Sequence, residues 1–156
     1  MTLIYVVAGE ASGDVLGARL IAALRARRQD LQFAGIGGER MVEQGVASLF
    51  PYRELALMGL LEVLPNIRRL ARRLDETVSD IAAKRPAILV TIDSPGFTLR
   101  VAARMRPAGL RVVHYVAPQV WAWRPKCVIK LKERVDRILC LLPFEPVFFE
   151  RAGIPV

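Results

Sequence analysis

Short apolar runs alternate along the chain with longer stretches in which apolar residues recur every three or four positions. The short runs, rich in β-branched residues, predict strands at 3–7, 32–36, 47–50, 87–92, 111–116 and 138–142. The longer stretches predict helices at 15–24, 39–44, 58–85, 97–106, 128–135 and 146–152. Strands that are apolar at almost every position are typical of a parallel sheet covered on both faces. The pattern therefore predicts an α/β fold, a Rossmann-like parallel sheet with helices on both faces.

Composition adds an uneven charge to this picture. The chain has 156 residues, 53% of them hydrophobic, which is enough for one domain with a full core. The net charge is +8; residues 1–60 contain six basic and six acidic side chains, so the seventeen basic and nine acidic side chains of 61–156 carry all of it. An apolar and basic half-chain favours an anionic, apolar partner such as a membrane surface. Nucleic acid is disfavoured as a partner, because no helix-turn-helix, zinc or RNP-like motif accompanies the charge.

The sequence also limits the available chemistry. One histidine and two cysteines without CxxC spacing offer no metal-ligand pattern, so we expect no metal and reduced thiols at Cys127 and Cys140. No apolar run reaches the roughly 18 residues of a membrane span. Residues 1–7 lack the basic start of a signal peptide and are expected to form a strand. Residues 154–156 resemble the approach to another strand, so we expect one domain of a longer chain, with a short natural tail as the alternative.

The loop after the first predicted strand is the first candidate site. Ligands of open α/β sheets bind at the carboxyl ends of strands, and this loop offers Gly9, Ser12 and Gly13 beside Glu10 and Asp14. Small residues let backbone N–H groups approach a ligand, and the following helix N-terminus favours an anion. Alternatively, Ser12 or Asp14 caps that helix, and Glu10 is a solvated loop carboxylate. The spacing matches neither the dinucleotide-binding glycine pattern nor the P-loop.

The second candidate site follows the most apolar predicted strand, where Asp93, Ser94 and Pro95 stand in sequence. A carboxylate at the end of such a strand is a candidate general base. Alternatively, Asp93 or Ser94 caps the next helix, with Pro95 as its first residue.

The third candidate site holds two tryptophans and an arginine, Trp121, Trp123 and Arg124, after the strand predicted at 111–116. This combination suits a sugar face, an acyl chain or a phosphate, and core packing of the tryptophans is the alternative. His114 lies inside the strand, and we expect it to be a buried structural residue.

The stretch 57–74 joins an apolar segment to a basic one. The membrane-facing candidates in it are Leu57, Leu60, Leu61, Leu64, Arg68, Arg69, Arg72 and Arg73. A segment of this kind is typical of an element at the surface of an anionic membrane. The alternative is a core helix with a solvated arginine face.

In order and spacing, these segments resemble the lipid-A-disaccharide synthase family. The resemblance rests on GEASGD at 9–14, GIGG at 35–38 with Met41, Met58 and Gly59 with Glu62, IDSP at 92–95 with Phe97, WAWR at 121–124 and LPFE at 142–145. Each block alone is weakly specific, and six blocks in register are very specific. One position departs from the pattern, because Gly96 stands where the family usually has an acidic residue.

The resemblance implies a GT-B glycosyltransferase of two Rossmann-like domains. Residues 1–156 would be its N-terminal, acceptor-side domain, and the C-terminal UDP-sugar-binding domain is absent from this chain. The implied reaction transfers the sugar of UDP-2,3-diacylglucosamine to 2,3-diacylglucosamine 1-phosphate (lipid X) with inversion, and needs no cofactor or metal. The enzyme would be cytoplasmic and peripheral on the inner face of the inner membrane.

The resemblance also implies roles for residues. Asp93 would be the base and Glu10 a second catalytic residue. The implied substrate-binding residues are Gly9, Ser12, Gly13, Asp14, Met58, Glu62, Ser94, Pro95, Trp121, Trp123 and Arg124. We expect this chain to be inactive alone, and a non-catalytic lipid-binding domain is the alternative function.

Overall fold

In the computed structural model, residues 1–56, 63–119 and 126–156 are described. The strands are β1 (Thr2–Ala8), β2 (Leu31–Ile36), β3 (Ile88–Ile92), β4 (Arg111–Tyr115) and β5 (Arg137–Leu139). The helices are α1 (Ala11–Arg27), α2 (Glu39–Glu43), α3 (Arg53–Ala56), α4 (Val63–Lys84), α5 (Pro95–Met105), α6 (Lys126–Arg134) and α7 (Glu145–Arg151). Of the predicted site residues, Leu57, Met58, Leu60, Leu61, Glu62, Trp121, Trp123 and Arg124 lie outside the described residues, as does the side chain of Leu64.

The strands of the described ranges form one parallel sheet in the order β2-β1-β3-β4-β5. In the middle of β1, Val6 lies opposite Gly35 of β2 on one side and Val90 of β3 on the other. The chain therefore leaves β1 in one direction for β2 and then returns past β1 to reach β3. Open α/β sheets bind ligands beyond the carboxyl ends of the strands at such a reversal.

Two hydrophobic cores lie on opposite faces of this sheet. Along β1, Tyr5 and Val7 join the core that contains residues of α4, α5, α6 and α7, whereas Ile4 and Val6 join the core that contains Ile21 of α1. This division follows from right-handed crossovers, because α1 connects strands in the opposite direction to the later helices. The prediction of a parallel α/β sheet with helices on both faces is confirmed.

Two predicted strands differ from the structure. The strand predicted at 47–50 is wrong, because its described residues form only an isolated bridge between Gly35 and Ser48. The Ser48 hydroxyl accepts from the Gly37 N–H at 3.1 Å and donates to the Phe50 carbonyl at 2.6 Å, so it shapes a turn instead of a ladder. The strand predicted at 138–142 ends at Leu139, and the following residues form the loop before α7.

Candidate functional site

The loops after β1 and β3 touch where the strand order reverses. A Cβ atom placed on Gly9 would lie 2.6 Å from Ser94 Oγ and 2.7 Å from Ser94 Cβ, so a larger residue at position 9 would force a shift. Glu10 follows at the N-cap of α1, and Asp93 directly precedes Ser94, which is the N-cap residue of α5. The two carboxylates predicted to be catalytic therefore come from adjacent loops at the carboxyl edge of the sheet.

A cleft of about 520 Å³ opens between these loops and the helices α4 and α5. Among the described residues, its polar lining consists of Glu10, Ser94 and Arg100. Its other described lining residues are Gly9, Leu55, Ile67, Leu70, Ala71, Leu74, Gly96 and Phe97. The structure thus brings the predicted residues Gly9, Glu10 and Ser94 to one cleft, and the rest of its wall is almost entirely apolar.

The backbone at the end of β3 is held in an unusual conformation. Asp93 and Ser94 have φ angles of 48° and 42°, both in the left-handed region that non-glycine residues rarely adopt. The single hydrogen of the buried Thr98 hydroxyl is shared between the Asp93 carbonyl at 2.7 Å and the Ser94 carbonyl at 3.1 Å. The Asp93 N–H donates to the Tyr115 carbonyl at 3.0 Å. Strain of this kind persists only when neighbouring contacts hold it, and it clusters at functional sites.

Capping of α5 does not account for Asp93 or Ser94. Ser94 is at the N-cap position, but its side chain makes no capping hydrogen bond. Its Oγ is buried and has no hydrogen-bond partner among the described residues. The predicted first residue of the helix, Pro95, is confirmed in that place. The alternative in which Ser94 caps the helix is therefore wrong, and its buried Oγ lies against Gly9 without a hydrogen-bond partner among the described residues.

Asp14 has a structural task, which corrects its prediction as a substrate-binding residue. Its buried carboxylate accepts hydrogen bonds from the backbone N–H groups of Gly38 at 2.8 Å, Arg40 at 3.0 Å and Met41 at 3.0 Å. It therefore caps α2, 24–27 residues away, and not its own helix. Ser12 does not cap α1 either, since the N-cap position belongs to Glu10 and Ser12 is exposed in the first turn.

Gly13 packs α1 onto the end of the sheet. A Cβ atom at this position would lie 3.4 Å from the Ala8 Cβ atom and 3.5 Å from Ile92, which is ordinary van der Waals contact. The close approach that requires glycine in this loop is thus at Gly9 and not at Gly13.

The arginines of α4 separate into two groups. Arg68, Arg69 and Arg72 are exposed, and their contact with a membrane stays a prediction. Arg73 is only 17% exposed and pairs with Glu54 and Glu76, each at 2.6 Å. Its guanidinium also lies 4.6 Å from the centre of the Phe50 ring. The prediction that Arg73 faces a membrane is therefore wrong, because its charge is used to hold α3 against α4.

His114 is a buried structural residue, as predicted. It is fully buried, and its Nδ1 lies 2.7 Å from the hydroxyl oxygen of Thr91 on β3. Burial lowers the pKa of His114 from 6.5 to about 4, against a smaller raising effect of the Val116 backbone. The imidazole is therefore neutral at pH 7.

Sequence reasoning missed two residues of this site. Thr98 pins the backbone of Asp93, and Arg100 lines the cleft. Arg100 shares a face of α5 with Gly96 and Phe97 at helical spacing, and this periodicity is a signal that could have found it. No sequence pattern predicts the role of the Thr98 hydroxyl, because the Asp93 and Ser94 carbonyls reach it only through the left-handed turn before the helix.

Residues 1–56, 63–119 and 126–156 contain neither a metal-ligand cluster nor a helix suited to cross a membrane. Over these ranges, no group of three or more histidine, cysteine, aspartate or glutamate side chains is close enough to hold a metal ion. None of the helices in the same ranges has both the length and the apolar character needed to cross a bilayer. Cys127 and Cys140 are both free thiols, as expected.

Known proteins are similar to this chain in sequence and in fold. Residues 4–156 match the lipid-A-disaccharide synthetase family. The lipid-A-disaccharide synthase of Granulibacter bethesdensis is 58% identical over 153 residues, which are 98% of this chain and 39% of that protein. The Pseudomonas aeruginosa synthase is 50% identical over 153 residues, 98% of this chain and 40% of that protein. The chain thus spans about two-fifths of the length of the curated relatives it matches.

A solved structure supports the fold independently. The UDP-GlcNAc 2-epimerase of Neisseria meningitidis, bound to UDP-GlcNAc, superposes with a TM-score of 0.68 at 11% identity, covering 99% of this chain and 44% of that one. At this identity the likeness shows the fold alone, a Rossmann-like domain of the GT-B type. With the family match over 4–156 and identities of 50% and 58% to curated synthases, the chain belongs to the lipid-A-disaccharide synthase family.

Proposed function

We propose that this chain is the N-terminal, acceptor-side domain of a glycosyltransferase that joins UDP-2,3-diacylglucosamine to 2,3-diacylglucosamine 1-phosphate and releases UDP. One observation carries the proposal. The loops that bear Glu10 and Asp93 meet where the sheet order reverses, beside a cleft with an apolar wall, in a chain of this family. An acylated sugar phosphate needs both kinds of surface, polar groups for the sugar and an apolar wall for its chains.

The Asp93 carboxylate is the general base of the proposed reaction. As the acceptor 6-hydroxyl attacks the anomeric carbon of the donor, its proton passes to Asp93 and the new C–O bond forms. The bond from that carbon to the UDP oxygen breaks, the electron pair leaves with UDP, and the configuration inverts. Thr98 holds the strained backbone of Asp93 and thereby fixes the position from which the Asp93 side chain extends. Glu10 orients the acceptor from the neighbouring loop.

The arginine face of α4 gives this domain its place on the membrane. Arg68, Arg69 and Arg72 are exposed beside Ile67, which is itself 48% exposed. Such a surface combines attraction to anionic lipid with an apolar contact. We place the domain on the inner face of the inner membrane, where acylated donor and acceptor reside, in a peripheral and cytoplasmic position.

A chimera tests the transfer reaction. This chain, joined to the C-terminal part of the Granulibacter bethesdensis synthase, should form the disaccharide phosphate from the two acylated substrates. The 156-residue chain alone should not, because most of the donor site would lie in the other domain. Asp93→Ala in the chimera should abolish product formation while the circular dichroism spectrum stays that of a folded protein. A folded but inactive chimera would favour the non-catalytic lipid-binding alternative, and an active Asp93→Ala chimera would remove Asp93 from the base role.

Vesicle sedimentation tests the membrane surface. Arg68→Gln with Arg69→Gln should weaken binding of the chain to phosphatidylglycerol vesicles roughly tenfold or more, since each basic residue near such a surface contributes about 1 kcal/mol. Arg19→Gln with Arg27→Gln makes the same change in net charge at exposed positions of α1, on the other face of the sheet. Equal losses in the two double variants would show that only net charge matters and would remove the α4 surface from the proposal.

A further inference from the structure

The helix α4 carries an apolar stripe that the core uses only in part. Ile67, Leu70, Ala71 and Leu74 all line the cleft and recur at the spacing of one helical face. The stripe covers about 10 Å, since a helix rises about 1.5 Å per residue. Ile67 is 48% exposed, Ala71 is exposed, and Leu70 and Leu74 are half-buried. An open apolar stripe of this length fits one extended alkyl chain better than a compact polar molecule.

A cation, Arg100, also lines the cleft. Arg100 is exposed and makes no ion pair or hydrogen bond with any residue in the described ranges. The neighbouring arginines differ, because Arg104 pairs with Asp75 and Arg106 pairs with Asp136. Within residues 1–56, 63–119 and 126–156, nothing therefore compensates the Arg100 guanidinium, and a guanidinium pairs well with phosphate oxygens.

The polar end of the cleft offers groups that recognise hydroxyls. The Glu10 carboxylate lines the cleft and can only accept hydrogen bonds when it is ionised. Ser94 lines it too, and its hydroxyl is buried beneath the wall without a partner in the described part of the chain. A ligand there must bring hydroxyl groups to Glu10 while keeping its own negative charge near Arg100.

We propose that this cleft is a binding site for an acylated sugar phosphate, with one alkyl chain along the α4 stripe and the phosphate on Arg100. The sugar hydroxyls then face the exposed Glu10 carboxylate, in the part of the cleft that Ser94 also lines. The identity of the ligand as the acceptor rests on the proposed function, whereas the placement of its three parts rests on the cleft. Arg100 sets specificity, because an uncharged amphiphile fills the apolar part and gains nothing from the guanidinium.

Gly96 keeps this guanidinium available. Gly96 is four residues before Arg100 on the same helix, and a Cβ atom placed there would meet nothing within 4 Å. A glutamate at this position would fit without a clash and would stand at the spacing of a helical ion pair. Gly96→Glu therefore removes the anion-binding capacity of Arg100 without changing Arg100 itself.

Calorimetric titration of the 156-residue chain with decyl phosphate, kept below its micellar concentration, tests the site. Arg100→Gln and Gly96→Glu should each weaken binding about tenfold, the size expected for one charge-assisted contact. Arg104→Gln is the matched control on α5 and should not. Octyl glucoside, which has a sugar and an alkyl chain but no charge, should bind wild-type chain and Arg100→Gln alike.

Ala71→Trp tests the apolar part, because the indole fills the stripe from an exposed position and leaves the core intact. Ala71→Trp should weaken the binding of decyl phosphate and of octyl glucoside about tenfold. Ala83→Trp, at an exposed position three turns further along α4, should weaken the binding of neither. Inorganic phosphate alone should bind more weakly than decyl phosphate. Equal affinity of Ala71→Trp and wild-type chain for decyl phosphate would overturn the proposal, as would equal losses in Arg100→Gln and Arg104→Gln.

The titration and the transfer assay test the binding site and the transferase proposal independently of each other. Decyl phosphate binding that depends on Ala71 and Arg100, together with an inactive chimera, would remove the transferase proposal and keep the site. Binding that none of these variants changes, together with an active chimera, would remove the site and keep the transferase.

Discussion

Removing the Asp14 carboxylate should destabilise the fold strongly. The side chain is 4% exposed and accepts three backbone N–H groups, of which only the bond from Met41 is fully buried. Loss of a helix cap costs about 1 kcal/mol, and a buried amide left without a partner costs about 2 kcal/mol more. We expect Asp14→Ala to lower the free energy of unfolding by about 3 kcal/mol, since water can reach the Gly38 and Arg40 amides in part.

Urea denaturation followed by far-UV circular dichroism measures this loss. The slope with denaturant should be unchanged, so the whole effect should appear as a lower midpoint. Asp30→Ala is the matched control, because that carboxylate is exposed and pairs only with Arg28 and should change the midpoint little. If Asp14→Ala shifts the midpoint no more than Asp30→Ala does, the capping role is refuted and a ligand-binding role for Asp14 becomes tenable again.

Three further predictions use the same denaturation assay. Gly9→Ala should cost about 1–3 kcal/mol through its clash with Ser94, and Ser94→Gly should recover most of that loss; additive effects would contradict the contact. Arg73→Met should lower the midpoint clearly and Arg72→Met should not, because only Arg73 pairs with glutamates; equal midpoints would remove this structural role. Burial lowers the pKa of His114 from 6.5 to about 4. The contribution of the neutral imidazole to the free energy of unfolding is therefore full above pH 6.5 and is lost as the pH falls through 4. The loss should reach about 3 kcal/mol, and an unchanged pH dependence in His114→Gln would refute it.

Four of the five strands in the described ranges are predicted from sequence to within one residue at each end. These strands, β1, β2, β3 and β4, consist mostly of apolar side chains that enter one of the two cores. The residues at 47–50 look equally strand-like in sequence. Whether such a run pairs depends on a neighbouring edge and on local competitors, and here the Ser48 hydroxyl bonds its own loop. Periodicity contains no information about that competition.

In the candidate site, too, the sequence predicts positions along the chain but not the partners of the side chains. Glu10 and Asp93 could be proposed because the positions of strand ends follow from the strands themselves. The partners of Asp14 lie at least 24 residues away and those of Arg73 include Glu54, so a local pattern shows the charge and not its partner. Arg100 becomes notable for the opposite reason, because nothing in the described chain neutralises it.

The central position of β1 has a consequence for how this domain folds. β1 precedes its partner β2 by only a short stretch of chain, whereas its other partner, β3, in which Ile88 lies opposite Ile4, ends at residue 92. Pairing across such a long stretch of chain is slow, and an unpaired strand edge is prone to join other chains. Until residue 92 has left the ribosome, one edge of β1 therefore lacks its native partner, and we expect this edge to be a site of aggregation risk during synthesis.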